Sequence, residues 1–204
     1  MKKQHKVILG VGLAVLGFAI YKNKSKMTPT PDPSPCPSPT PTNYNSEFEK
    51  YMIYVFDFEG GLTIDKNDRG GLTNWGIDQK SHPDVDIRNL TKEQAKAIYW
   101  NEYWLRSKAS LIPKSIRFLY FDTFINGGGI KVLQRAAGVK IDGSLGLMTI
   151  TAASRVTPQT FTAARRTYYS LIIKNDKTQE KFRDGWNNRA TKALNAQLEI
   201  NSFA

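Results

Sequence analysis

The 204-residue chain contains one cysteine, Cys36, and two histidines, His5 and His82. A lone cysteine excludes an intrachain disulfide framework and any cysteine-based zinc cluster. The two histidines are too isolated for a metal site or a Ser-His-Asp triad. The fold must therefore stand on its apolar core, and 40% hydrophobic and 11% aromatic residues supply one, which argues against disorder throughout. Acidic residues are also scarce. Eighteen Asp and Glu against 29 Lys and Arg give a formal net charge of +11, which suits a polyanionic partner such as nucleic acid, anionic lipid or an acidic wall polymer. Nucleic acid is the weakest of these, because no basic stripe interleaves with aromatics outside the N-terminus. The excess is uneven: the first 26 residues carry six lysines and no acid, leaving 11 − 6 = +5 for the rest.

Only one long apolar run exists, Val7 to Tyr21, with lysines on both sides. It is shorter than the ~20 residues of a usual spanning helix, so a signal peptide competes with a membrane anchor. No small-x-small cleavage site follows, and snorkelling lysines can extend its reach, which favours an uncleaved anchor over residues 1–27. From Thr28 to Thr42 every second residue from Pro29 to Pro41 is proline. Such a segment can form neither a helix nor a central strand, and reads as a polyproline-II stalk of roughly 45 Å with Cys36 inside it.

The remainder, residues 43–204, is expected to be mainly α. Ser46 with Glu49, and Thr91 with Gln94, have the spacing of capping boxes. Pro113 and Pro158 suit first helical turns, Pro158 behind a Thr157 cap. Helical periodicity fills Ile116–Phe124, Phe161–Ile172 and Phe182–Leu198. Leu62–Ile77 lacks it, and its glycines predict a small β-hairpin.

That hairpin belongs to the stretch Phe58–Ile77, FEGGLTIDKNDRGGLTNWGI. Phe48, Met52, Val55 and Phe56 mark the core face of the preceding helix, and the same period puts Glu59 on it. A carboxyl there feels desolvation and the negative end of the helix dipole, both of which favour the neutral acid. Gly60-Gly61 ends the helix and lets backbone pass close to Glu59. Asp65 and Asp68, in a polar glycine-flanked turn, are expected to stay ionised. One protonated and one ionised carboxyl is what glycosidic bond cleavage requires. The spacing Asp-x-Asn-Asp-x-Gly hints at a calcium loop, but Arg69 at the fifth ligand position and Gly76 at the twelfth exclude it. Trp75 suits either a sugar-stacking platform or the core.

Glu59-Gly60-Gly61, followed by Asp65, Asp68, Gly70-Gly71, Thr73 and Gly76-Ile77, resembles the signature of glycoside hydrolase family 108 muramidases, lysozyme-like wall enzymes common in bacteriophages. The similarity continues through Leu90–Ala95, Ile98-Tyr99 and Tyr103-Trp104. Phe121-Asp122, Asn126-Gly127, Leu133–Ala136, Asp142-Gly143, Arg165, Tyr168-Tyr169, Gly185-Trp186 and Asn188-Arg189 are similar to the peptidoglycan-binding module behind the catalytic part. The resemblance implies a lysozyme-like catalytic part over 43–125 and a helical wall-binding part over 126–204. It implies Glu59 as the acid with Asp68 and Thr73 as catalytic partners, although Thr73 falls one position short of the related Glu, Asp, Thr pattern. It also implies substrate contacts from Asp65, Trp75, Gln79 and Asn126, with peptidoglycan glycan strands as partner and no metal or organic cofactor. Arg69 departs from the proline common in the family's turn. Anchor and stalk would hold the catalytic domain at a membrane facing the wall, as in a tethered phage lysin. A lytic transglycosylase, which needs one carboxyl, and a non-catalytic wall-binding virion protein are the rival readings.

Overall fold

The computed structural model describes residues 43–59, 63–64 and 72–203. The proposed anchor and stalk, and Asp65 and Asp68, lie outside the described residues. Among those described, no helix is long and apolar enough to cross a membrane.

Helix α1 (Ser46–Glu59) begins one residue earlier than the capping-box reading implies. The cap is Asn45, whose Oδ1 accepts the Phe48 N–H at 2.7 Å, because an asparagine side chain satisfies a first-turn donor as well as a serine does. The expected core face is buried, with Tyr51 added to Phe48, Met52, Val55 and Phe56. A three-stranded antiparallel meander follows, β1 (Thr63–Ile64), β2 (Leu72–Asn74) and β3 (Ile77–Asp78), in the order β1-β2-β3. The glycines of Leu62–Ile77 predict only one hairpin. The extra strand arises because Trp75 and Gly76 both adopt left-handed backbone, at φ 52° and 78°. That is the pattern of a two-residue type I′ turn, and it returns the chain with Asn74 opposite Ile77.

Residues 79–90 form a loop held from inside. Gln79 donates its amide to the carbonyls of His82 and Val85 at 3.0 and 2.9 Å, and Asn74 donates to those of Ile87 and Leu90 at 3.1 and 3.3 Å. Helix α2 (Lys92–Ile98) opens with the expected Thr91–Gln94 capping box. It runs into a π-helical turn, Tyr99–Trp104, and then α3 (Leu105–Ser107). Sequence periodicity gave no sign of the π turn. The wider turn accommodates two aromatic pairs four residues apart, Tyr99/Tyr103 and Trp100/Trp104, with ring centroids 5.4 and 6.2 Å apart.

Among the described residues five more α-helices follow: α4 (Lys114–Ile125), α5 (Gly129–Ala137), α6 (Leu147–Ala153), α7 (Pro158–Asn175) and α8 (Arg183–Ser202). Thr157 caps α7 with Pro158 in its first turn. Helix α4 is the axle: Ile116, Phe118, Leu119, Tyr120, Phe121, Thr123 and Asp122 are all fully buried. One apolar cluster runs from Phe48 of α1 through Phe121 of α4 to Ile200 of α8. Gln197 of α8 stitches this union. Its amide accepts the Phe118 and Leu119 N–H groups at 2.9 and 3.2 Å and donates to the Lys114 carbonyl at 3.2 Å.

Candidate active site

Glu59 is the last residue of α1, and only 6% of its side chain is exposed. Three elements close around its carboxyl. From the β2–β3 turn comes Gly76: a Cβ added there would stand 2.8 Å from Glu59 Cγ and 3.0 Å from Cδ. From the π turn comes Tyr99, whose hydroxyl would lie 2.4 Å from the same Cβ and donates to the Trp75 carbonyl at 3.1 Å. From α8 comes Arg189, whose Nη1 lies 2.7 Å from Glu59 Oε1. That approach is a close ion pair off the line of a well-directed hydrogen bond, since Nη1 has no aligned acceptor. Burial and the helix end are legible in the sequence around Glu59, and this cation is not.

Arg189 is part of a chain of buried charges. Its Nε and Nη2 donate to Asp122 Oδ1 at 3.0 and 2.7 Å, and Arg165 Nη1 donates to Asp122 Oδ2 at 2.6 Å. Burial pushes the Asp122 carboxyl up, but Arg189 and Arg165 outweigh it and hold Asp122 below the usual carboxylate range. Burial likewise opposes the charge on Arg189, while Asp122 and Glu59 more than offset it. Burial first, then the charge of Glu59, raises the Tyr99 phenol well above its ordinary value. Tyr103 is pushed up to about 12 by burial, then by Glu102, Asp78 and Glu59. Both phenols therefore stay protonated beside Glu59.

The strained turn is over-determined, as left-handed non-glycine backbone requires. The Trp75 indole N–H donates to the Leu90 carbonyl at 3.2 Å, and its ring meets Phe56 edge to face at 5.5 Å. Lys92 Nζ stands 5.7 Å from the ring centroid. Trp75 thus packs on its neighbours and remains half-buried. The other residues named from sequence take up varied positions. Thr73 is half-buried in the middle of β2 and opposite Asp78. Gln79 commits its amide nitrogen to the loop carbonyls named above. Asn126 caps α4, donating its side-chain amide to the Asp122 carbonyl at 2.7 Å. Of the set, the structure brings the Trp75-Gly76 turn to Glu59.

Tyr99, Asp122, Arg165 and Arg189 were given no role by the sequence reading. One signal was there: Asp122 follows the apolar run Phe118–Phe121 in a helix whose residues from Phe118 to Thr123 are all buried, and a charge in such a place needs a partner. Which arginine answers it is decided only by the packing of α7 and α8 on α4.

Two family models and a solved structure match this chain. Residues 52–128 match the family model described as glycosyl hydrolase 108, and residues 128–191 match that described as a predicted peptidoglycan domain. Among solved structures, the one titled "Structure of Brucella abortus SagA" is similar at 28% identity and a TM-score of 0.64, covering 76% of this chain and 95% of that one. No curated protein matches the chain.

Proposed function

Since residues 52–128 match the glycosyl hydrolase 108 model, which indicates a glycoside hydrolase acting on peptidoglycan, we propose that the chain is an N-acetylmuramidase. In this reading it cleaves the β-1,4 bond between N-acetylmuramic acid and N-acetylglucosamine with Glu59 as general acid. One observation carries the reading: the Glu59 carboxyl ends a core-facing helix and is enclosed by Gly76, Tyr99 and Arg189. Glu59 gives its proton to the glycosidic oxygen as the bond from that oxygen to the anomeric carbon breaks. Water then adds its hydroxyl to the anomeric carbon, and its remaining proton passes to the carboxylates and restores the protonated Glu59. Asp68, nine residues beyond Glu59, is the proposed carboxylate that stabilises the positive charge at that carbon and assists the water. Thr73 is its proposed partner, and Asp65, Trp75, Gln79 and Asn126 the proposed substrate contacts.

The lysine-flanked run Val7–Tyr21 and the proline stalk support a tether that holds this domain at a membrane facing the wall, in the manner of a phage lysin. The positive charge suits a wall rich in peptide carboxylates and phosphate polymers.

Glu59→Gln keeps the shape of the side chain but has no proton to give. Loss of general acid catalysis is worth about 10²- to 10⁴-fold in rate, so a folded variant that clears purified peptidoglycan at the wild-type rate would refute the assignment. Mass spectrometry of the products separates the mechanisms. Reducing muramyl ends with a large loss in Asp68→Asn are expected; 1,6-anhydro ends with Asp68→Asn fully active would establish a transglycosylase instead.

A further inference from the structure

Glu59 and Asp122 fall in the hydrolase segment, 52–128, whereas Arg165 and Arg189 fall in the peptidoglycan domain, 128–191. The four side chains nevertheless form one cluster, and the Asp122, Arg165 and Arg189 side chains are at most 2% exposed. We infer that Arg189 is a positioning residue for Glu59, so that the C-terminal region completes the active site as well as serving the wall. This rests on the reading of Glu59 as the general acid.

Arg165 fixes Asp122 through Oδ2. Asp122 fixes the Arg189 guanidinium through two nitrogens, Nε and Nη2. Only Nη1 remains, and it faces Glu59 Oε1 at 2.7 Å. The plane and position of the guanidinium are therefore set by Asp122, and Glu59 takes its place against a cation that is already held. Phe58 covers the other side, its ring centroid 5.2 Å from Arg189 Cζ. A planar, always-charged fork can bridge two carboxylates in this way, and a lysine can serve only one of them well.

Charge balance favours the same role. Arg165 and Arg189 bring two positive charges and Asp122 one negative, so Asp122 alone cannot neutralise them. The cluster is neutral when Glu59 is ionised and carries one net positive charge when Glu59 holds its proton. Delivery of that proton to the glycosidic oxygen restores neutrality in a buried site, where such a balance weighs more than in bulk solvent. Stability alone does not call for such an arrangement, because buried ion pairs are often replaceable by apolar residues without loss.

The test uses the full chain with Arg189→Gln and Arg189→Lys, measuring reducing-end release from purified peptidoglycan, pelleting with intact walls, and melting temperature. A misplacement on the order of 1 Å costs about 10²-fold in rate. Arg189→Gln is expected to lower kcat by about that factor with KM and pelleting within about twofold of wild type, and Arg189→Lys to regain part of the loss. A folded Arg189→Gln with wild-type kcat overturns the proposal. So does an unchanged kcat with raised KM and weaker pelleting, which would assign Arg189 to wall binding. Should Arg189→Gln fail to fold, Arg189→Lys decides, since wild-type kcat in that variant also overturns it. Glu59→Gln assayed in parallel separates the two levels. Full activity there overturns the reading of Glu59 and the proposal with it, whereas an inactive Glu59→Gln beside a fully active Arg189→Gln overturns the positioning role alone.

Discussion

Gly76→Ala tests the claim that the β2–β3 turn is pressed onto Glu59. The new Cβ would lie 2.4 Å from the Tyr99 hydroxyl oxygen and 2.8 Å from Glu59 Cγ, whereas ordinary contact begins at 3.4 Å. The Glu59 side chain must then retreat by 3.4 − 2.8 = 0.6 Å, and Arg189 stands close against its carboxyl. Left-handed backbone costs a residue with a Cβ about 1–2 kcal/mol. Disturbing the Tyr99–Trp75 hydrogen bond adds about 1 kcal/mol. The expected loss is thus about 2–3 kcal/mol, or roughly 4–12 °C in melting temperature for a protein of this size. If a 1 Å displacement costs about 10²-fold, one of 0.6 Å costs roughly 10- to 20-fold in kcat. Gly138→Ala is the control: Gly138 also has positive φ, 68°, but nothing lies within 4 Å of its Cβ position. It should lose stability from backbone strain and keep its activity. Calorimetry with peptidoglycan clearing reads both. A Gly76→Ala enzyme that melts within about 1 °C of wild type and clears walls at the wild-type rate would refute the reasoning.

Other expectations follow from the charged groups. His82 Nε2 lies 3.2 Å from Glu102 Oε2; that hydrogen bond raises His82 above its ordinary 6.5 and lowers Glu102 below its ordinary 4.5. The His82 contribution to stability is complete below about pH 6.5 and lost as pH rises through the raised value, while that of Glu102 is present above about pH 4.5 and lost as pH falls. Glu102→Gln should therefore lower the melting temperature more at about pH 5.5 than at about pH 8.5, modestly because Glu102 is 44% exposed. Asp122→Asn leaves two buried guanidiniums short of an anion and should cost about 3–5 kcal/mol in denaturant unfolding. The lowered Asp122 value also predicts that wild-type stability is retained above the ordinary carboxylate range and falls as pH drops through it. Full-length protein made in bacteria should stay in the membrane fraction at full mass after a carbonate wash; a shortened soluble product would mean a cleaved signal peptide instead.

Local chemistry was enough to write much of this fold in advance. Four apolar positions three and four residues apart fixed the buried face of α1, and Glu59 inherited its place from that period. Thr91 with Gln94, and Thr157 before Pro158, marked helix starts because caps are made by residues within one turn of each other. The glycines of Phe58–Ile77 announced a break in helix, though not the third strand. That strand depends on Trp75 holding a left-handed backbone, which tertiary contacts to Leu90, Phe56 and Tyr99 enforce against its own preference. The π turn was hidden for a similar reason, since it answers the crowding of aromatic rings against α1 and α4 rather than any local propensity. The surroundings of Glu59 were the least legible. Asp122 lies 63 residues after it and Arg189 another 67, and no periodicity connects positions so distant. The sequence by itself determined that a carboxyl would face the core before a glycine break, because helical geometry is local. Only the packing of α7 and α8 on α4 decided which cations meet it, because buried charges find partners through the whole fold.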